Sequence, residues 1–231
     1  MKKRNWVLFA FVAIIATVLS GCAMLGAMGK MASVPKEGAP IPDDKVVIVG
    51  RIVFTPEPVQ NIDGDMIALG GGGIKQSVDL GFTFAADKKI IFDKGNADVL
   101  AHVKWGEYFV LTVPRKTLFL NAIGFVTDSR GNTVKSVMGT CNVGINIGPD
   151  DRLIYIGDVN FRFGVKNSMG GTGNDVRVLD NYDDLKKSFT MTFQDGSGGT
   201  VEMKQDLAVV PEGKSAVVYD RVIQTTVTTG F

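Results

Sequence analysis

Residues 152–165 read RLIYIGDVNFRFGV. Leu153, Tyr155, Val159, Phe161, Phe163 and Val165 fall on one face of a period of two, with Asp158, Asn160 and Arg162 on the other. Successive side chains of a strand point to opposite faces, so this alternation predicts a strand with one core face and one wet face. Similar signals recur from Lys45 onward. VVIVGRIVF (46–54) is apolar on both faces and reads as a buried strand. SVDLGFTF (77–84) places Val78, Leu80, Phe82 and Phe84 on one face, and YFVLTV (108–113) stops at Pro114. TLFLNAIGFV (117–126) runs into TDSRGNT, a hairpin signal, and returns through VKSVMGTCNVGI. FTMTF (189–193) and TVEMK (200–204), joined by DGSGG, predict another hairpin, and SAVVYDRVIQTTVTT (215–229) a last strand.

One short helix is expected in DNYDDLKKSF. Asp180 is its N-cap, Asp183 lies three residues on, and Lys186 and Lys187 sit near its end. Many short strands with Gly-rich turns predict an all-β fold, a β-sandwich or barrel-like antiparallel domain over residues 45–231.

The first 44 residues are of another kind. Lys2, Lys3 and Arg4 precede an uncharged apolar run, WVLFAFVAIIATVL (6–19), and then Ser20, Gly21 and Cys22. A basic start, a short apolar stretch and small residues at its end predict a secretory signal peptide over 1–21. The run falls short of the roughly 20 apolar residues that a membrane span needs. Leu19-Ser20-Gly21-Cys22 resembles the lipobox of bacterial lipoproteins. That resemblance implies cleavage before Cys22, a diacylglyceryl thioether on its sulfur and an amide-linked acyl chain, palmitate for example, on its nitrogen.

Each buried methylene contributes about 0.8 kcal/mol, and several chains anchor durably where a single myristoyl chain holds only reversibly. The implied location is the bacterial cell envelope, with the protein anchored to a membrane that it does not span. Ala23 rather than Asp follows the cysteine. In a Gram-negative cell this implies the outer membrane. Residues 22–44, rich in Ala, Gly, Met and Pro, read as the lipidated N-terminus and a flexible tether.

IYIGDVNF followed by VRVLDNYDDLKKSF is similar to a class of small Gram-negative lipoproteins with a prealbumin-like sandwich. In that class a strand ending in Tyr-x-Gly precedes a short acidic helix. The resemblance covers residues 153–189, and the class brings no settled activity.

Charge and motifs narrow the function. Removal of residues 1–21 takes Lys2, Lys3 and Arg4 from the 25 Lys and Arg, leaving 22 against 24 Asp and Glu, a balance of −2. A near-neutral domain without a basic block argues against a nucleic-acid partner. With Cys22 as the lipid site, Cys141 has no intramolecular disulfide partner and reads as a small buried hydrophobe. His102 is the single histidine and reads as structural.

NIDGDMIALGGG (61–72) fails the calcium-loop pattern, because its glycine is misplaced and Gly72 stands where a glutamate belongs. GGGG (70–73) and SMGGTGND (168–175) lack the Gly-Lys-Ser/Thr of a P-loop. The acid pairs Asp150–Asp151 and Asp183–Asp184 read as solvated charges. No catalytic constellation, metal site or cofactor is expected.

The sequence therefore predicts a binding or assembly module with an envelope protein or glycan as partner. The rival readings are a carboxylate-dependent envelope enzyme and a structural lipoprotein supporting a larger complex. The Gly-rich connections 70–76 and 167–175 are the candidate binding loops, with Asn167, Asn174 and Asp175 as polar contacts and Met169 as an apolar one.

Overall fold

The computed structural model describes residues 31–55, 73–86, 96–129, 132–138, 142–166, 172–210 and 225–227. The chain divides into two units, Met1–Met31 and Ala32–Phe231. Apart from Met31, the described residues belong to the second.

Eleven strands and one helix are described in chain order. They are β1 (Lys45–Thr55), β2 (Gly73–Thr83), β3 (Val99–Val103), β4 (Tyr108–Pro114), β5 (Leu118–Ser129) and β6 (Asn132–Met138). β7 (Val143–Ile145), β8 (Leu153–Lys166), β9 (Thr172–Leu179), α1 (Tyr182–Ser188), β10 (Lys204–Gln205) and β11 (Thr225–Val227) follow. The first sheet has the order β10-β8-β1-β4, with β9 also paired to β8. The second has the order β11-β6-β5-β2-β3, with β7 also paired to β5. The fold is an all-β sandwich with a single short helix among the described residues.

The first sheet is mixed, not antiparallel throughout as expected. β1 runs antiparallel to β4 but parallel to β8, and β10 is also parallel to β8.

The apolar run of β1 is explained by a third layer. Val46, Ile48, Ile52 and Phe54 point between the sheets and join one core with Leu80, Phe82, Leu118, Leu120 and Phe161. Val47 and Val49 point outward and pack with Leu153, Tyr155, Leu185 and Phe193. Helix α1 and the segment 189–203 supply that outer cover, so both faces of β1 are dry from Val46 to Gly50. FTMTF and TVEMK pair as a hairpin only next to their turn, where Val201 donates its N–H to the Phe193 carbonyl, and the rest of each segment packs as cover. A single bridge, Gln194 to Thr200, spans the turn at Asp195. The Asp195 carboxylate fixes that turn by accepting the Ser197 and Gly199 N–H groups and the Ser197 hydroxyl.

β8 departs from the single alternating row. Val49 faces Tyr155 while Arg51 faces Asp158, so β8 carries one residue more than β1 at this point. The extra residue is accommodated at Gly157, whose φ is +91°, a left-handed conformation that glycine adopts without steric cost. A bulge of one residue reverses the facing of everything beyond it. Leu153 and Tyr155 thus belong to the outer cluster, whereas Ile154, Ile156, Val159 and Phe161 belong to the core between the sheets. Asp158 and Asn160 do share a face, but it is not wet: both are buried, Asp158 to 1% exposure.

Two short segments close the sandwich at its sides. Ala32 donates its N–H to the Leu100 carbonyl on β3, and Thr112 on β4 donates to the Ser33 carbonyl. The segment thus joins the edge strands of the two sheets. Farther on, Gly38 donates to Thr192 and Ile41 to Gln194, with the Ile41 side chain buried. Residues 32–44 therefore belong to the folded unit, in place of the second half of the expected tether. On the other side, Asp206 and Ala208 donate to Tyr155 and Ile156 of β8, and Val209 exchanges two hydrogen bonds with Gly144 of β7. Both seams use backbone pairing to cover edge strands that would otherwise offer open ladders.

The remaining expectations divide in the same way. β5 and β6 pair antiparallel across the predicted hairpin. The last strand is described only over Thr225–Val227, where it pairs with β6. β2 ends at Thr83, so Phe84 is exposed and does not join Val78, Leu80 and Phe82 in the core.

Candidate functional site

The outer face of the first sheet carries a buried polar cluster centred on Asp158. Arg51 on β1 and Tyr108 on β4 are direct cross-strand partners, and their side chains meet with the guanidinium 4.6 Å from the ring centre. Across the sheet, Arg51 donates to Asp158 Oδ2 from Nε at 3.0 Å and also from Nη2. Asn181, just before α1, donates from Nδ2 to the same oxygen at 2.6 Å. The Tyr155 hydroxyl donates to Asp158 Oδ1 at 3.4 Å and accepts the Asn181 backbone N–H at 3.1 Å. The Tyr155 ring stacks on Tyr182 of α1 at 5.5 Å. The cluster therefore pins the start of the helix to the sheet.

Gly157 makes this convergence possible. Without the bulge, Asp158 would point between the sheets, into the apolar core, and the helix would lose its polar attachment. The helix N-cap position belongs to Asn181, not Asp180, and its side chain is spent on Asp158 and makes no cap hydrogen bond. Asp180 still assists, since its carboxylate accepts the Tyr182 N–H at 3.0 Å.

The electrostatics are those of a fixed cluster. Burial lowers the Arg51 pKa, but the hydrogen bond and charge of Asp158 outweigh it and hold the guanidinium above its ordinary value. Burial pushes the Tyr155 hydroxyl up strongly; the Asn181 N–H opposes this and the Asp158 charge reinforces it. Tyr108 is raised by burial and by Asp158, against the opposing charge of Arg51. Both phenols stay protonated near neutral pH. The buried Tyr108 hydroxyl has no hydrogen-bond partner among the described residues. Asp158 accepts from three side chains, so this carboxylate is committed to holding structure.

Two grooves flank this cluster. One of about 260 Å³ is lined by Arg51, Trp105, Gly106, Asp158, Leu179 and Asn181. Leu179 is exposed at its rim. The other, about 440 Å³, lies beside α1 and is mixed, with Tyr182, Phe189, Met191, Val201 and Met203 beside the charged Glu202. Lys186 stands at its border with its ammonium 4.1 Å from the Tyr182 ring centre. The first groove offers fixed donors beside an apolar wall, an arrangement suited to orienting a ligand. The second combines apolar side chains with one carboxylate, Glu202, and one ammonium, Lys186.

The sequence-predicted site residues are not assembled at either groove. Cys22, Asn167 and Met169, and Cys141 with them, lie outside the described residues. Asn174 and Asp175 lie on β9, which starts at Thr172, and so on a strand in place of the expected loop. Residues 73–76 likewise belong to β2. The Asp175 carboxylate is 3.3 Å from Arg162 and 3.6 Å from Arg177, an ion-paired group on the sheet.

The other residues tested for chemistry are also accounted for. His102 is exposed on β3, with Nδ1 2.8 Å from Asp79. Asp151 is buried, not solvated, and is held by the Gly148 N–H and by Lys204 at 3.0 Å. Asp183 and Asp184 are exposed, and Asp184 pairs with Lys187 at 2.8 Å. Among the described residues no group of three or more His, Cys, Asp and Glu could hold a metal ion.

Arg51, Asp158, Tyr155 and Asn181 are what the sequence reading missed. One signal for them was present, since a glycine inside a strand pattern marks a bulge. Set against family models, curated proteins and solved structures, the chain matches none.

Proposed function

We propose that this chain is a lipid-anchored lipoprotein of the bacterial cell envelope, and that its β-sandwich is a binding or assembly module. The observation that carries the anchor is the order of parts in residues 2–22: a basic cluster, a short apolar run, then Leu19-Ser20-Gly21-Cys22. The proposed attachment is through acyl chains on Cys22, and Ala23 after it favours the outer membrane of a Gram-negative cell. No helix among the described residues is long and apolar enough to cross a membrane.

The geometry favours binding over chemistry. The most buried carboxylate on the outer sheet face, Asp158, is engaged by Arg51, Asn181 and Tyr155. A carboxylate serving as general acid or base must exchange protons with a substrate within hydrogen-bond reach, and this one is 1% exposed. The groove beside it presents Arg51, Asn181 and the rim residue Leu179 to a partner, which is an envelope protein or glycan on this reading.

Replacing Cys22 with Ser tests the anchor. The expected result is loss of the acyl mass and release of the protein from the membrane fraction. A Cys22→Ser protein that remains membrane-bound at the parent level refutes it.

A further inference from the structure

We propose that the end of the sandwich carrying Phe84 and Lys116 is a second membrane contact, a site at which the domain rests on the lipid surface. The inference builds on the lipid-anchor reading above and adds to it the face that the domain turns to the bilayer.

Backbone pairing fixes the end at which the chain joins the domain. Ser33 is the antiparallel bridge partner of Thr112, so residues before Ser33 run toward the Pro114 end of β4. The Ala32 bond to Leu100 sets the same level on β3, next to its first residue, Val99. The strand termini gathered at this end are Lys45 of β1, Thr83 of β2, Val99 of β3, Pro114 of β4 and Leu118 of β5. Their pairings are Lys45 to Pro114, Phe82 to Val99 and Thr83 to Phe119.

Phe84 lies one residue past the end of β2 and is 41% exposed. Its backbone is fixed by its N–H bond to Asp98, and its ring lies 5.3 Å from the Lys116 ammonium. An aromatic ring held outward with a cation over it combines an apolar body with a group that a lipid headgroup receives, as at interfacial anchors.

The length of chain between anchor and domain makes the contact reachable. Nine residues lie between Cys22 and Ala32, and the ten steps from one to the other span at most about 33–36 Å. An acylated Cys22 would therefore hold the end where the chain joins within that distance of the bilayer. Among the described residues, Lys45, Arg115 and Lys116 stand at this end with Asp44 and Asp98, three basic groups to two acidic. Lys45 pairs with Asp44, and Arg115 donates to the Pro149 carbonyl. The part of the contact made by the exposed Phe84 ring is apolar and changes little with salt, unlike attraction to anionic lipid, which screening weakens.

The test uses the processed, acylated full chain in vesicles of phosphatidylethanolamine and phosphatidylglycerol, with Phe84→Trp as the reporter. Of the two native tryptophans, Trp6 lies in the segment removed on processing and Trp105 is buried, so the new indole dominates quenching. The expected result is quenching by lipids bearing a nitroxide near the headgroup, protection from iodide, and little change at high salt. An indole open to iodide and untouched by nitroxide lipid, in protein whose Cys22 acylation is verified by mass, overturns the contact and leaves the anchor standing. Protection from iodide without nitroxide quenching means that a second copy or another protein covers Phe84, and this also overturns it. Absence of acyl mass on Cys22 refutes the anchor reading, and the membrane contact with it.

Discussion

Replacing Gly157 with alanine should destabilise the domain by roughly 1–5 kcal/mol. The structure supplies each part of that figure. At φ +91° a residue with a Cβ is strained, at roughly 1–3 kcal/mol for sparsely populated backbone conformations. The new Cβ would also stand 2.5 Å from Val178 Cγ1, 3.1 Å from the Leu179 carbonyl oxygen and 3.2 Å from Leu207 Cδ2. Forcing a methyl group into such packing typically costs about 1–3 kcal/mol. The loss of unfolded-state freedom when glycine becomes alanine returns about 0.4–1 kcal/mol. Urea titration of the purified protein measures the sum as a shift in midpoint at unchanged slope. Adding Val178→Ala removes the closest clash but leaves the φ strain and the carbonyl contact, so the double variant should recover only part of the steric loss. A Gly157→Ala protein as stable as the parent would refute the bulge argument, as would complete rescue by Val178→Ala.

Other substitutions separate core, cluster and acid sensitivity. Phe161 is fully buried and sits 5.8 Å from Phe54, ring to ring, so Phe161→Ala should cost about 3–5 kcal/mol in a thermal or urea melt. Asp158→Ala leaves the partly buried Arg51 without its carboxylate and should cost about 3 kcal/mol or more, whereas a surface carboxylate such as Asp183 changed to Ala should cost well under 1 kcal/mol. Burial raises the Asp151 pKa, but the Gly148 N–H and Lys204 outweigh it and hold the carboxyl below its usual value. A depressed carboxylate stabilises the fold above its unfolded pKa, about 3.9, and that contribution is lost as pH falls through the folded value. Asp151→Asn should therefore melt lower than the parent at neutral pH, with the difference shrinking in acid. A difference independent of pH would refute the assignment.

Local patterns in the sequence carried the strands well and their partners poorly. The doubly apolar run of β1, the stop at Pro114 and the β5–β6 hairpin were legible because they are set by side-chain alternation and turn chemistry over a few residues. The parallel pairing of β1 with β8 was not, since it joins Val47 to Leu153 across a separation that no local pattern encodes. Pro and Gly made residues 32–44 look like linker, yet their backbone groups are used in bridging edge strands. The cluster was hidden by a parity error. Gly157 was counted as an ordinary strand position, which put Tyr155 and Phe161 on one face and Asp158 in water. Asp175 was assigned to a loop because the glycines before it suggested one, while β9 begins among those same residues.

The two ends of the sandwich are unlike, and the difference bears on how an anchored domain would meet a partner. The chain joins the domain at the Lys45, Phe84 and Pro114 end. The groove beside Arg51 and Asp158 reaches Trp105 and Gly106, which lie in the turn from β3 to β4 at the opposite end. Along β1, Arg51 is six residues from Lys45, a rise of about 20 Å at the usual strand spacing. The groove beside α1 lies on the outer face of the same sheet and reaches nearer the joining end, since its lining includes Leu153, the partner of Val47. A domain resting on Phe84 would thus hold Arg51, Asn181 and Leu179 away from the bilayer, where an envelope partner can approach without displacing lipid. Gly157 links the two requirements. It lets one long strand fill the core with Val159 and Phe161 while turning Asp158 outward to fix the helix that separates the grooves.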